Sequence, residues 1–314
     1  MNPPHATTIL SAEVWRELAS EHRARAEVFT LPARHRRDRG QPHPIADFLF
    51  EYYPFGFSLL DQWQPGVGVG IEWDGPASAD DLPPPFSGRR YVLKNGVLAA
   101  DLGGLSAKEV QRLAWILELL IATRDRLPNF ACHGLHEWAM VYRGREVRHE
   151  KTLRLRLPQQ EIDAVVESQM ICCSHHDAFR FFASDARPLN HLQPSLENRI
   201  SLEQPACLHA NMDLYKWTAK TMPWAGSDLL LDCFELAVEL RNLDMRASPY
   251  DLRDWGLEAV PIETAGGRRT YETLQKSLAV RARSLRERLI AVIRQTLAVA
   301  GISTSGLDLC DSMV

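Results

Sequence analysis

Apolar positions recur at helical spacing through most of the chain. Between Ser106 and Arg126, residues Leu113, Ile116, Leu117, Leu120 and Ile121 form one stripe, and Ser106 with Glu109 three residues on makes a capping box. From Ser227 to Arg246, apolar residues including Leu230, Phe234, Ala237 and Leu240 cover a wide face, as in a buried helix. Thr270 to Val299 reads as a long amphipathic helix that Gly301 can end. Residues 11 to 28 read as a helix capped by Ser11, with Trp15, Leu18 and His22 in register, followed by a basic, Pro-containing stretch with Arg34, Arg36, Arg37 and Arg39. Gln160 to Glu167 reads as a short helix. Pro205 to Lys220 reads as a longer one with Pro205 in its first turn. Residues 45 to 63 are rich in aromatics, and Pro54-Phe55-Gly56 divides them into short helices.

The pattern changes between residues 64 and 105. Glycine and proline punctuate the segment, and short β-like runs stand at Val67 to Trp73 and Arg90 to Leu93. Leu153 to Leu157 alternates apolar and basic residues and predicts a strand. No internal repeat is present. The expectation is a mainly α, α-rich α+β protein: one helical domain over 1–314, a Gly/Pro-rich β-like insert at 64–105 and a loose tail at 302–314.

Composition sets the class. The chain has 314 residues, 45% of them hydrophobic and 24% charged, enough to bury a core without disulfides. A net charge of −4 excludes a polycation, so nucleic-acid affinity must come from a local patch such as His22 to Arg39. The N-terminus lacks the pattern of a secretory signal. The most apolar windows, Leu113 to Thr123 and Leu289 to Ala300, are shorter than a membrane span and each carries a charge. A cytoplasmic protein with no membrane partner is expected. The six cysteines, at 132, 172, 173, 207, 233 and 310, form no C-x-x-C pair and read as mostly free, buried thiols.

Residues able to do chemistry crowd into four stretches. In Cys132 to Arg143, His133 and His136 are three apart and can share a helix face, while Glu137 lies among apolar residues. Glu137 reads equally as a general acid or base and as a buried partner of an arginine. In Cys173 to Phe182, one of His175 and His176 can converge with Asp177 at a turn, or Asp177 can simply cap the helix that follows. In Glu203 to Trp217, His209 and Asp213 are i and i+4, a spacing for a His–carboxylate pair or two metal ligands, and equally for a structural polar network. In Leu243 to Leu252, Asp244, Arg246, Tyr250 and Asp251 gather at a helix stop. Unsatisfied buried polar groups cost several kcal/mol, about 2–7 each, so this density favours an enzyme.

The same stretches resemble a bacterial family labelled 3-methyladenine DNA glycosylase. The matching segments are Pro44 with Asp47 to Phe50, Gly134 to Arg143, His176 to Phe182, Ala186 to Asn190, Glu203 to Trp217 and Asp232 to Leu252, and the similarity runs from about residue 11 to about 295. The resemblance implies release of a damaged or modified nucleobase, with damaged DNA or a modified nucleoside as partner and no cofactor. It hands over no catalytic residue.

On that reading Glu137 or Asp177 is the carboxylate at the reaction centre, with His209 and Asp213 as an orienting pair. Trp138, Tyr142, Arg180, Asn211, Tyr215, Lys216, Trp217, Arg246 and Tyr250 are candidate substrate contacts, the aromatic ones for stacking a base. The competing reading is a His/carboxylate metalloenzyme, a hydrolase or oxygenase holding Fe, Mn or Zn through His136, His175, His176 and His209. A non-enzymatic small-molecule binding protein is the third.

Overall fold

The computed structural model of the chain describes residues 6–76, 78, 81–88, 90–103, 105–144 and 153–303. Residues 304–314 of the expected tail, and 77, 79, 80, 89 and 104 of the expected insert, lie outside the described residues. Among the described residues there are eleven α-helices and one four-stranded sheet, so the protein is α-rich α+β. No helix among them is long and apolar enough to cross a membrane. By contact the chain divides into two compact units, Met1–Leu120 with Tyr215–Phe234 and Leu285–Val314, and Ile121–Leu214 with Glu235–Ser284.

The first unit holds the sheet and the N-terminal helices. Helix α1 (Ala12–Asp38) starts at Ser11, whose hydroxyl accepts from the Val14 amide, and it continues through Pro32 rather than ending near residue 28. His22, Ala26, Thr30 and Ala33 stay buried along one face, so packing outweighs the hydrogen bond that Pro32 cannot donate. Its arginines are mostly engaged within the unit: Arg25 with Asp232, Arg34 with Asp61, and Arg36 with Asp47. Helices α2 (Phe48–Tyr52) and α3 (Phe57–Asp61) flank the expected Pro54–Gly56 break.

Strands β1 (Thr8–Leu10), β2 (Val69–Glu72), β3 (Tyr91–Lys94) and β4 (Val97–Ala100) lie in the order β1-β2-β4-β3, with β1 parallel to β2 and the other pairs antiparallel. The insert is therefore a three-strand contribution completed by a strand from the N-terminus. The β3–β4 turn is Asn95-Gly96, both at positive φ (52° and 75°), the geometry a two-residue hairpin requires. Helix α4 (Ala107–Asp125) opens with the expected capping box, the Glu109 carboxylate accepting from the Ser106 amide at 3.0 Å and the Ser106 hydroxyl from the Glu109 amide at 3.3 Å.

The second unit is built on α5 (Leu135–Met140), α6 (Gln159–Ser168), α7 (His176–Phe179), α8 (Arg199–Leu202) and parts of α9 (Leu208–Thr221), α10 (Ser227–Ala247) and α11 (Ala265–Val299). Three expectations are corrected here. Leu153 to Leu157 is no strand; Leu155 makes one isolated bridge to Tyr250, and Arg156 turns its guanidinium onto Glu263. Pro205 is not in the first turn of α9, which begins at Leu208, because the Gln204 side chain accepts from the Ala206 amide and holds 204–206 in a turn. Helix α11 begins at Ala265, five residues before Thr270, with Thr264 Oγ1 accepting from the Gly267 amide. A Cβ at Gly267 would sit 1.9 Å from the Pro261 carbonyl oxygen, so this helix start requires glycine. At its other end Gly301, at φ +77°, closes α11: its amide bonds the Ala298 carbonyl and the Ile302 amide bonds that of Leu297.

Gly267→Ala should lower the thermal unfolding midpoint sharply, whereas Gly266→Ala, whose Cβ meets only Thr264 Oγ1 at 4.0 Å, should leave it unchanged or raise it. The helix-propensity gain of Ala over Gly is at most about 1 kcal/mol. Circular-dichroism melts of the two variants check the contrast.

Candidate functional site

Two successive left-handed residues, His133 (φ 45°) and Gly134 (φ 77°), turn the chain into α5. A Cβ at Gly134 would stand 3.0 Å from that of Ala247, so the turn packs tightly on the end of α10. It leaves His133 off the helix, so the shared His133/His136 face is not formed. It also folds Cys132 back over α5, with its sulfur 3.7 Å from His136 Nδ1.

The other nitrogen of His136, Nε2, donates to Asp244 Oδ1 at 2.6 Å, and both side chains are buried. Arg241, one helical turn before Asp244 on α10, donates to Asp244 Oδ2 at 2.9 Å and to Glu137 Oε1 at 3.0 Å. Burial opposes charge on all these groups, but mutual attraction overcomes it in two. Despite burial, the adjoining Asp244 carboxylate raises His136 well above its ordinary value. Asp244 is held below the usual carboxylate range by His136 and Arg241. Glu137 goes the other way, raised by burial and by the neighbouring Asp244 charge.

His209, on the first turn of α9, faces this group. Its ring lies edge-on to His136 with centroids 4.6 Å apart, and stacked on His175 at 5.5 Å. Among the described residues no hydrogen bond holds the His209 ring. Burial and the positive charge on His136 lower its pKa to about 3, so it is a neutral imidazole. One ligand atom each from His136, His209 and Asp244 lie within 4.8 Å of one another.

A second buried group stands on the far side of His209. His175 Nε2 is 3.4 Å from both Glu203 Oε1 and Asp213 Oδ2, and these three also offer ligand atoms within 4.8 Å of one another. Arg199 from α8 already fills the position a cation would take. Its guanidinium lies 2.5 Å from Glu203 Oε1, 3.5 Å from Asp213 Oδ2 and 2.8 Å from Asp177 Oδ2. In the first triplet Arg241 reaches Asp244 at Oδ2, while Oδ1 accepts from His136.

A small cavity opens beside the first group. Its wall includes Cys132, His136, Cys172, Cys173, Cys207, His209, Ser174, Tyr271 and Gln275. Ser174 Oγ and Gln275 Oε1 are buried without a hydrogen-bond partner. Burial pushes the Cys207 thiol up to about 12 and raises Cys173 well above the ordinary thiol value.

Several sequence candidates sit elsewhere. Glu137 does not line the cavity and is the arginine-paired residue of the alternative reading. Asp177 is not a cap: the capping position of α7 is His175. His209 and Asp213 do not bond each other: His209 groups with His136 and Asp244, and Asp213 with His175 and Glu203. His176 Nδ1 lies 3.5 Å from Asp177 and outside both triplets. Trp138 is buried and donates to the Ala247 carbonyl at 2.8 Å, Tyr142 donates to Glu167, Arg180 lies over the Phe181 ring, Asn211 donates to the Pro205 carbonyl, Arg246 donates to the Glu258 carbonyl, and Tyr250 pairs with Leu155. Tyr215 is packed among Tyr53, Phe55 and Phe234, and Trp217 against Trp115 with Lys216 over its ring. None of these lines the cavity. Sequence reasoning singled out Asp244 only as one of a group at a helix stop, and left out Arg241 as a site residue and Cys132, Cys173 and Cys207 as wall residues; the signals available were Cys132-x-x-x-His136, Cys173-x-His175 and Cys207-x-His209.

No family model matches the chain, and no curated protein or solved structure matches it.

Removing the guanidinium strands buried carboxylates, so Arg199→Met should cost about 3–5 kcal/mol in urea unfolding, with Arg199→Lys only partly restoring it because one ammonium cannot span three carboxylates. A milder, pH-dependent effect is expected at Glu263. Burial would raise its pKa, but the two-pronged Arg156 bond at 2.7 and 2.6 Å holds it below the usual range. A depressed folded value means the stabilisation is present above the unfolded pKa of about 4.3 and is lost as pH falls through the folded one. The stability gap between wild type and Glu263→Gln should therefore shrink in acid unfolding titrations below about pH 4.

Proposed function

We propose that this protein is a transition-metal-dependent enzyme whose ion lies between His136 and His209. The observation that carries the reading is His209: a neutral imidazole on a cavity wall, without a hydrogen bond, facing a second imidazole whose far nitrogen is fixed by a carboxylate. A metal-bound histidine is commonly held in this way, its other N–H donated to a carboxylate that sets the tautomer and the ring orientation. Here Asp244 supplies that carboxylate, and Arg241 holds Asp244 in turn. Free imidazoles buried for packing alone are expected to find a partner.

In such a site the ion would polarise a bound water or a substrate oxygen. The residues of this chain would then position it: His136 through Nδ1 once that nitrogen has released its proton to solvent, His209 from across the cavity, and Gln275 and Ser174 through polar atoms that lack hydrogen-bond partners among the described residues. Among the described residues of the wall, Tyr271 stands without a second aromatic ring of the kind that would sandwich a flipped base.

Release of a damaged base, which the family resemblance implies, is the second reading, and one observation favours it. Asp177 is a partly exposed carboxylate, its side chain 15% accessible, held by Arg199 at 2.8 Å beside His176. It is a candidate for stabilising an oxocarbenium-like sugar.

Elemental analysis of purified protein separates the two. The first reading expects close to stoichiometric Fe, Mn or Zn in wild type and its loss in His209→Ala with the fold retained. Base release from alkylated duplex DNA that resists chelators and is abolished by Asp177→Asn would sink it in favour of the second.

A further inference from the structure

The sulfur of Cys132 takes no part in either reading of the site, yet it ends a row of three bonded side chains. Its Sγ lies 3.7 Å from His136 Nδ1, within reach of an N–H···S bond, and His136 Nε2 donates to Asp244 Oδ1 at 2.6 Å. Nucleophile, imidazole and orienting carboxylate thus stand in the order that activates a cysteine for attack. The turn at His133-Gly134 brings the sulfur back over α5, and Arg241 holds the second oxygen of Asp244, so the row is fixed at both ends. Asp244 keeps His136 protonated, which makes Nδ1 a donor and sets a positive charge beside the sulfur.

The other thiols on the wall are placed differently. Cys172 is half-buried, as Cys132 is, but burial raises its thiol above the ordinary value. Cys173 is buried with its sulfur turned to the His175 carbonyl, 3.7 Å away. Burial keeps Cys207 protonated.

The wall also shows what the sulfur would meet. Ser174 and Gln275 are 4% and 2% exposed, and Ser174 Oγ and Gln275 Oε1 lack hydrogen-bond partners among the described residues. Gln275 Nε2 donates to the Ala206 carbonyl at 2.7 Å, which leaves Oε1 as an acceptor of fixed position, while the Ser174 hydroxyl can donate. No Asp, Glu, Lys or Arg stands among the described residues of the wall. A small uncharged amide has the matching groups, a carbonyl oxygen for Ser174 and an N–H for Gln275.

We propose that Cys132 is a covalent attachment site whose sulfur adds to small, uncharged α,β-unsaturated amides entering the cavity. The sulfur, its own proton released to solvent, forms an S–C bond at the β carbon. The π pair of the C=C bond moves to the α carbon, which takes the proton of His136 Nδ1 and leaves a neutral imidazole still bonded to Asp244. No oxidant or reductant enters the step. One nitrogen cannot hold a proton and an ion together, so the reaction belongs to the ion-free chain. It goes beyond the metal-dependent reading and stands if that reading fails.

The test exposes the full chain to acrylamide, with a chelator present, and follows each cysteine by peptide mass spectrometry. Cys132 should be modified first, at least about tenfold faster than Cys172 and than Cys132 itself in the urea-unfolded chain, because a thiolate beside a cation reacts where a thiol does not. Cys132→Ser should lose this first adduct, and His136→Gln should slow Cys132 to the rate of Cys172. Far-ultraviolet dichroism identifies a variant that has not folded, and the wild-type rates then decide alone. The proposal is overturned by Cys172 reacting as fast as Cys132, by Cys132 reacting no faster folded than unfolded, or by a folded His136→Gln that keeps the fast adduct. Ser174→Ala should slow acrylamide more than acrylonitrile, which has no amide, and equal slowing would overturn the amide assignment.

Discussion

The 2.6 Å bond between His136 and Asp244 is the interaction around which the second unit is organised. It places two charges where water is excluded, a costly arrangement unless every remaining lone pair and proton is answered. The answers come from neighbours in space. Arg241 serves the second oxygen of Asp244 and reaches on to Glu137, so two carboxylates, an imidazolium and a guanidinium form one neutral group. Because the charges balance internally, the group holds His136 in a fixed orientation, with its Nδ1 edge turned to Cys132 on the cavity wall.

His209 joins this group to the Arg199 group. Its ring meets His136 on one side and His175 on the other, and bonds neither. The two groups solve the same electrostatic problem differently. Around Arg199 one planar cation is shared among Asp177, Glu203 and Asp213, which leaves no room for an ion. Around His136 the guanidinium of Arg241 stands behind the carboxylate, and the side toward the cavity is lined by thiols and by His209. The cavity therefore opens on the His136 side of His209, and the ring of His175 packs on the other.

Much of the fold was legible because its signals are local. The Ser106–Glu109 box, the Pro54–Gly56 break, the wide apolar face of α10 and the Gly301 stop all act within a few residues. The failures have nonlocal causes. Pro32 is carried inside α1 by a buried stripe that extends past it, and the alternation of 153–157 reflects Arg156 reaching for Glu263, not strand pairing. The unit boundaries fall inside α4, α9, α10 and α11, so no change of composition marks them. The site was legible in its crowding and not in its pairings. His209 and Asp213 have the spacing of a pair but are divided between two groups. Asp244, which fixes His136, is more than a hundred residues away from it. The cysteine spacings were visible, but only the fold shows that they share a wall.

The second unit is discontinuous: its first segment ends at Leu214 and its second begins at Glu235. As the chain is synthesised, His136, His175, Arg199 and His209 are all present before Arg241 and Asp244 exist. Until that second segment emerges, the first has no low-energy way to exclude water from its histidines and acids, and it stays open. Closure is thus tied to a late stage of synthesis, and the cavity forms in the same step that neutralises its charges. The cavity wall is complete only in the finished unit, because Tyr271 and Gln275 come from the second segment.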